Sequence, residues 1–259
     1  MGLARHYKGY HLGKSFFSYQ TRIRTLAQQR GFTVNTLHPA PGEPLTILTR
    51  RSPKDVPSLY LSAGIHGNEP SGVFAIHDLL LEGALDEAFH WTILPCINVA
   101  GILAGTREHP SGIDLNRDFR EPASPIIRTL CEYIDSATQP FDMAMHLHED
   151  WEPDGFYLYE LDRRQDAKSI GDTVVDEVGK NHPIAEATTI DGHAAENGII
   201  RPVVDPQTME IGWPEAIYLT QGRCKINLTF ETPSRMPISE RIQMQSCAVK
   251  AALHALRNA

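Results

Sequence analysis

Residues 59–65, 91–97 and 141–147 are short apolar runs, and helix-like stretches at 73–81 and 124–136 separate them. That order limits the chain to a layered α/β domain, because parallel neighbours in a sheet need a crossover connection, usually a helix. The pattern continues on both sides. A helix is expected over 16–29, stopping at Gly31, and a β-like stretch over 45–49. Ser124 and Pro125 suit the cap and first position of a helix whose Ile126, Ile127, Leu130, Tyr133 and Ile134 share one face. Downstream, 156–159 reads as a strand, 164–180 as a helix and 226–230 as a strand. The last segment, 239–256, is an amphipathic helix that can lay Ile242, Val249, Leu253 and Leu256 on the sheet. Between these, 181–215 is rich in Pro, Gly and charge and reads as a long irregular loop, of the kind that is more often functional than idle. The expected fold is one domain spanning residues 1–259, α/β, with a mixed, largely parallel central sheet flanked by helices.

Composition narrows the partners. A chain of 259 residues with 41% hydrophobic content buries roughly three quarters of its unfolded surface. Its formal net charge of −8 offers no basic field for counterion release at a phosphate backbone, so nucleic acid and anionic membranes are not expected. Cys96, Cys131, Cys224 and Cys247 are widely spaced and form no C-x-x-C pair, which reads as free thiols in a reducing compartment. No run approaches the roughly 18 apolar residues of a membrane span, and residues 1–20 lack a charged start followed by an apolar core. A soluble, cytoplasmic protein is the expectation.

Reactive groups in open α/β sheets collect beyond the carboxyl ends of the strands, and polar residues accumulate there in this chain. Where the 59–65 run gives way to the helical stretch, Gly64-Ile65-His66-Gly67-Asn68-Glu69-Pro70 sets an imidazole and a carboxylate three residues apart. Both are Zn²⁺ ligands, at about 2.0 to 2.2 Å, and a tight turn at Gly67 lets them face one ion. The strand Asp142-Met143-Ala144-Met145-His146-Leu147-His148 puts two histidines on one face, because side chains repeat every two residues. His148, nearer the strand end, is taken as third ligand. His146 is the runner-up or a donor behind the ligands, and a second metal through His146, Glu149 or Asp150 stays open. Two histidines, one carboxylate and a water make a catalytic zinc set with an open position.

The 112–119 run Gly-Ile-Asp-Leu-Asn-Arg-Asp-Phe follows in a polar loop that also holds Arg107. His66-x-x-Glu69, this run, His148 at a strand end and Phe230-Glu231-Thr232 occur in an order that resembles the zinc carboxypeptidase A-like metallopeptidase family, which also includes aspartoacylase/succinylglutamate desuccinylase-like deacylases. The resemblance covers residues 59–234. It implies His66, Glu69 and His148 as zinc ligands and Glu231 as general base. It also implies that Arg107 polarises the scissile carbonyl and that Asn116 and Arg117 grip a terminal carboxylate. The chemistry agrees. Zinc lowers the pKa of a bound water to about 7, a nearby carboxylate can take its proton, and fixed positive charge steadies the developing oxyanion. Arginine also suits a planar two-point grip on a carboxylate. For the tyrosine that closes over substrate in such enzymes, Tyr218 is the nearest candidate, with core packing as its other reading. The chain departs from the digestive members in being shorter, in showing no propeptide-like segment, and in having His146 where many relatives have aspartate.

The expected activity is hydrolysis of a peptide or amide bond beside a free carboxylate, first as a metallocarboxypeptidase. An N-acyl amino acid deacylase is the rival enzyme, and a metal- or peptide-binding module without catalysis is the rival of another class. Glu231 argues against the last, because binding alone needs no base beside the metal.

Overall fold

The computed structural model describes residues 12–40, 43–164 and 169–258. In chain order the elements are α1 (Leu12–Gln29), β1 (Thr33–Leu37), β2 (Leu45–Arg50), β3 (Ser58–Ala63), α2 (Ser71–Glu82), β4 (His90–Leu94) and α3 (Val99–Ala104). Then follow α4 (Pro125–Asp135), β5 (Phe141–Asp150), β6 (Tyr157–Asp162), α5 (Ile170–Gly179), β7 (Thr189–Ile190), β8 (His193–Glu196), β9 (Ile199–Ile200), α6 (Glu215–Thr220), β10 (Cys224–Pro233) and α7 (Ile238–Arg257).

The strands form one sheet in the order β1-β2-β4-β3-β5-β10-β6-β9-β8-β7. Its centre, β4-β3-β5-β10, is parallel. On one flank β1 and β2 pair antiparallel, and β2 does so with β4; on the other, β10 and β6 are antiparallel. The sheet is mixed, as the sequence implies, and its parallel character belongs to the four strands that the helical crossovers connect.

Alternation along those strands divides their residues between two layers. Leu59 and Leu61 of β3, Met143, Met145 and Leu147 of β5, and Ile226, Leu228 and Phe230 of β10 join one apolar core with α1, α2, α5 and α7. Tyr60 and Ala144 face the opposite way, into a second core with α4 and α6. On this second face, toward the strand ends, the alternating positions are Ser62, His146, His148, Thr229 and Glu231. The apolar layer therefore holds the sheet while the other layer is free to carry chemistry.

Local signals explain the helix ends. The Ser124 hydroxyl accepts from the Ile127 amide at 3.0 Å and Pro125 opens α4, as its sequence implies. Helix α1 buries Tyr19, Ile23 and Ala27, one residue per turn, and closes where Gly31, at φ +78°, lets the Phe32 amide reach the Ala27 carbonyl. Pro70 precedes α2 and does not open it; the first amide of that helix, Ser71, donates instead to Glu149 at 2.6 Å.

Three expectations change. Strands β3 and β4 stop at 63 and 94, and the residues after them bend into the functional turns. The 181–215 stretch holds β7, β8 and β9, short strands that extend the sheet over the site. Helix α5 starts at Ile170, so the first part of the segment expected at 164–180 is not helical at 164 and falls at 165–168 outside the described residues.

Removing the α4 cap with Ser124→Ala should lower stability by about 1 kcal/mol. Urea unfolding should show a lower midpoint at unchanged slope, with metal content unaffected.

Candidate metal centre and active-site cleft

The turn after β3 is shaped by a close approach. Asn98 caps α3 by accepting from Gly101, and its side-chain amide donates to the Ile65 carbonyl at 3.2 Å. A Cβ at Gly67 would lie 1.9 Å from the Gly101 carbonyl carbon. Glycine is required because α3 presses on the turn at that point. The His66 and Glu69 side chains then converge, with His66 Nδ1 2.7 Å from Glu69 Oε1. Across from them, His148 Nδ1 is 2.8 Å from Glu69 Oε2. The ligand atoms of His66, Glu69 and His148 all lie within 4.8 Å of one another, and all three residues are buried. Among the described residues this is the cluster that can hold an ion.

His146 sits elsewhere. It is 1% exposed, its Nδ1 lies 2.9 Å from Glu215 Oε2, and its Nε2 lies 3.4 Å from Asn227 Oδ1. The two histidines share a strand face, and the geometry selects His148 for the cluster. Glu149 points to the other layer, bonded to the Ser71 amide and paired with Arg241. Asp150 accepts from the Tyr157 hydroxyl at 2.8 Å.

The cluster forms one wall of a cavity of about 410 Å³, which Arg107, Asn116, Arg117 and Glu231 also line. Glu231 lies beside His148 in the β10–β5 register. Arg107 spans two carboxylates, with Nε 3.2 Å from Asp114 Oδ2 and Nη1 3.6 Å from Glu69 Oε1. The Asn116 side-chain oxygen Oδ1 accepts from the Glu215 backbone amide at 2.9 Å, which fixes its NH₂ as the group left for the cavity. Arg117 donates to its neighbour's carbonyl and forms no ion pair among the described residues. The carboxylates beside it are committed: Asp118 caps the Ala123 and Ser124 amides, and Asp114 meets His66 and Arg107.

Tyr218, the nearest candidate for a tyrosine over the substrate, lies where its other reading, core packing, has it. It is buried against Phe119, under the Arg223 guanidinium, and does not line the cavity. Its position on a short helix turns it into the second core. Tyr157 and Tyr159 on β6 line the cleft instead. The β7–β8 hairpin adds Asp191 and His193, the 202–214 segment adds Val204, Met209 and Ile211, and Trp151 stands exposed at the mouth. A larger hollow of about 760 Å³ near Arg163, Arg164 and Arg201 adjoins the cleft through Leu161, Pro202, Val204 and Ile217, and those arginines are already bonded to Thr220, Asp162 and Glu160.

Residues 55–188, just over half of the chain, match the family of succinylglutamate desuccinylase/aspartoacylase catalytic domains. The chain belongs to this family. Among solved structures, it is similar to a putative metallopeptidase from Shewanella amazonensis SB2B, with a TM-score of 0.80 at 23% identity over 92% of each chain. A metallo-carboxypeptidase from Burkholderia cenocepacia gives 0.66 at 15% identity, over 94% of this chain and 68% of that one. The tripeptide-bound cell shape determinant Csd4 from Helicobacter pylori gives 0.59 at 18% identity, over 82% and 55%. These likenesses concern the fold. No curated protein matches the sequence.

For a member of the desuccinylase/aspartoacylase family, the charges around the cluster favour a cation. Burial raises the Glu69 carboxyl, but His148 and then His66 outweigh it and hold the group at about 2. Burial pulls His66 down, yet the Asp114 and Glu69 carboxylates raise it above its ordinary value. Burial also lowers His148. Two imidazoles and one carboxylate converge where negative charge is in excess, which suits a divalent ion. Asp114 holds the second His66 nitrogen at 3.3 Å. The signal was present, two residues before Asn116 in the 112–119 run.

Because a carboxylate behind a histidine ligand fixes its tautomer and ring angle, Asp114→Asn should weaken metal retention about 10- to 100-fold. Competition with a calibrated chelator reads that loss.

Proposed function

We propose that this protein is a zinc-dependent hydrolase that cleaves a peptide or amide bond next to a free carboxylate, acting first as a carboxypeptidase. The observation that carries the reading is the meeting of the His66, Glu69 and His148 ligand atoms within 4.8 Å on a cavity that Arg107, Asn116, Arg117 and Glu231 also line. Zinc would be held by those three residues. When bound, it supplies Lewis acidity, which acidifies water toward neutral pH and polarises a carbonyl.

The chain's own groups supply the remainder. Arg117, which forms no ion pair among the described residues, and the Asn116 amide nitrogen bind the substrate's carboxylate. That contact sets the bond to be cut against Glu231. Burial, then the negative charge of Glu69 and Asp150, pushes the Glu231 carboxyl well above the usual carboxylate range. A carboxylate beside the ligand cluster is placed to act as general base toward water. Glu231 takes the proton of the attacking water and returns it to the leaving nitrogen. Arg107 keeps its positive charge beside the oxygen that becomes negative.

Two features divide the substrate readings. The exposed Trp151 and Ile211 at the mouth, 62% and 67% accessible, give a chain longer than one amino acid apolar surface to lie on, which favours a peptide. The family match favours an N-acyl amino acid. A cytoplasmic location suits the four free cysteines, and no helix among the described residues is long and apolar enough to cross a membrane.

Purified protein should carry about one zinc per chain, and chelation should abolish hydrolysis that added zinc restores; full activity in metal-free protein would overturn the mechanism. Glu231→Gln should lower kcat at least about a hundredfold while keeping the metal. A panel of N-acetyl dipeptides and N-acyl amino acids, assayed with zinc-loaded protein, separates peptidase from deacylase by which group is turned over.

A further inference from the structure

The turn that carries Asn116 and Arg117 is held by a second segment, 212–215. Gly212, at φ +82°, lies flat against the turn: a Cβ there would come 2.1 Å from the Arg117 carbonyl oxygen. The Phe119 amide donates to the Trp213 carbonyl at 3.2 Å, and Asp118 and Trp213 form a parallel bridge. The Glu215 amide donates to Asn116 Oδ1 at 2.9 Å. These contacts tie Gly212, Trp213 and Glu215 to residues 116–119.

The segment is in turn anchored by one side chain. Glu215 is 1% exposed, and its carboxylate enters the second face of the sheet. Oε1 accepts from the Tyr60 hydroxyl at 2.5 Å, and Oε2 accepts from the Ser62 hydroxyl at 2.7 Å with His146 Nδ1 2.9 Å away. Tyr60 and Ser62 belong to β3 and His146 to β5, so the anchor grips the two strands whose ends present the metal ligands. A buried carboxylate is costly unless its lone pairs are filled. Here tyrosine, serine and histidine fill them, at a place where an apolar residue would pack without such cost.

We propose that Glu215 is a positioning residue for recognition of the substrate's carboxylate. Its side chain locks residues 212–215 to β3 and β5, and its backbone amide and Gly212 fix the Asn116 NH₂ and the Arg117 turn toward the cavity. The inference rests on the assignment of Asn116 and Arg117 as the carboxylate grip.

The test uses zinc-loaded wild type, Glu215→Gln and Gly212→Ala. Each is assayed with N-acetyl-alanyl-phenylalanine and N-acetyl-aspartate, and the better substrate is compared with the same molecule bearing a carboxamide in place of the gripped carboxylate. Wild type must favour the free acid; equal turnover of acid and carboxamide overturns the grip itself and the proposal with it. Given that preference, both variants should raise KM for the acid about tenfold or more, as expected when hydrogen bonds to a charged group are misaligned. Zinc content should stay at the wild-type level, kcat should stay within about threefold, and carboxamide turnover should not change. Calorimetric titration with the product acid should show the same loss of affinity as KM. Unchanged KM and product affinity in the folded variants overturn the proposal, as does a fall in kcat and zinc with KM held. If Glu215→Gln does not fold, Tyr60→Phe, which removes one hydrogen bond to the same carboxylate, decides by the same readings.

Discussion

The register of β5 between its parallel neighbours is the constraint on which the rest depends. His146 lies beside Ser62 of β3, and His148 lies beside Glu231 of β10. A strand side chain changes face with every residue, so a one-residue slip would send both histidines into the apolar layer and draw Met145 and Leu147 out of it. Buried Met143, Met145 and Leu147 on the other face oppose that slip. The same burial that stabilises the sheet thereby sets His148 beside Glu231, the proposed ligand beside the proposed base.

Much of this was legible because periodicity carries burial, and burial carries position. The four central strands, the α4 cap and the amphipathic α7 follow from local pattern. The His66–Glu69 spacing and the polar 112–119 run mark the strand ends where chemistry gathers. What could not be read locally depends on contacts across the fold. The choice of His148 over His146 turns on Glu215, far along the chain, which occupies His146. Gly67 is explained by the α3 backbone, not by the turn alone. Tyr218 sits in an apolar run that reads alike whether it caps a cleft or fills a core, and only the placement of α6 decides. The extra strands within 181–215 are two to four residues long and fall below the length at which alternation can be recognised.

The cleft also divides its charges by task. Most of its acids are already committed within the protein: Glu149 to Arg241, Glu215 to the Tyr60, Ser62 and His146 group, Asp150 to Tyr157. Arg117 forms no ion pair among the described residues, and Glu231, beside His148, forms no hydrogen bond among them. A site built for structure would have paired these two types of group. In the proposed reaction, their separation leaves one to hold an anion and the other to accept a proton.

The β7–β8 hairpin reaches the cleft through a two-residue turn, Asp191 and Gly192, both at positive φ, the geometry that closes tight hairpins. Its tip is fastened to the sheet by the Tyr159 hydroxyl on Asp191 at 3.2 Å. The His66, Glu69 and His148 cluster, Glu231 and the two arginines all come from other parts of the chain. A protein organised in this way can exchange the hairpin for one of different length or charge while the reacting groups keep their places, so that new substrates are reached by changing a rim and not a mechanism.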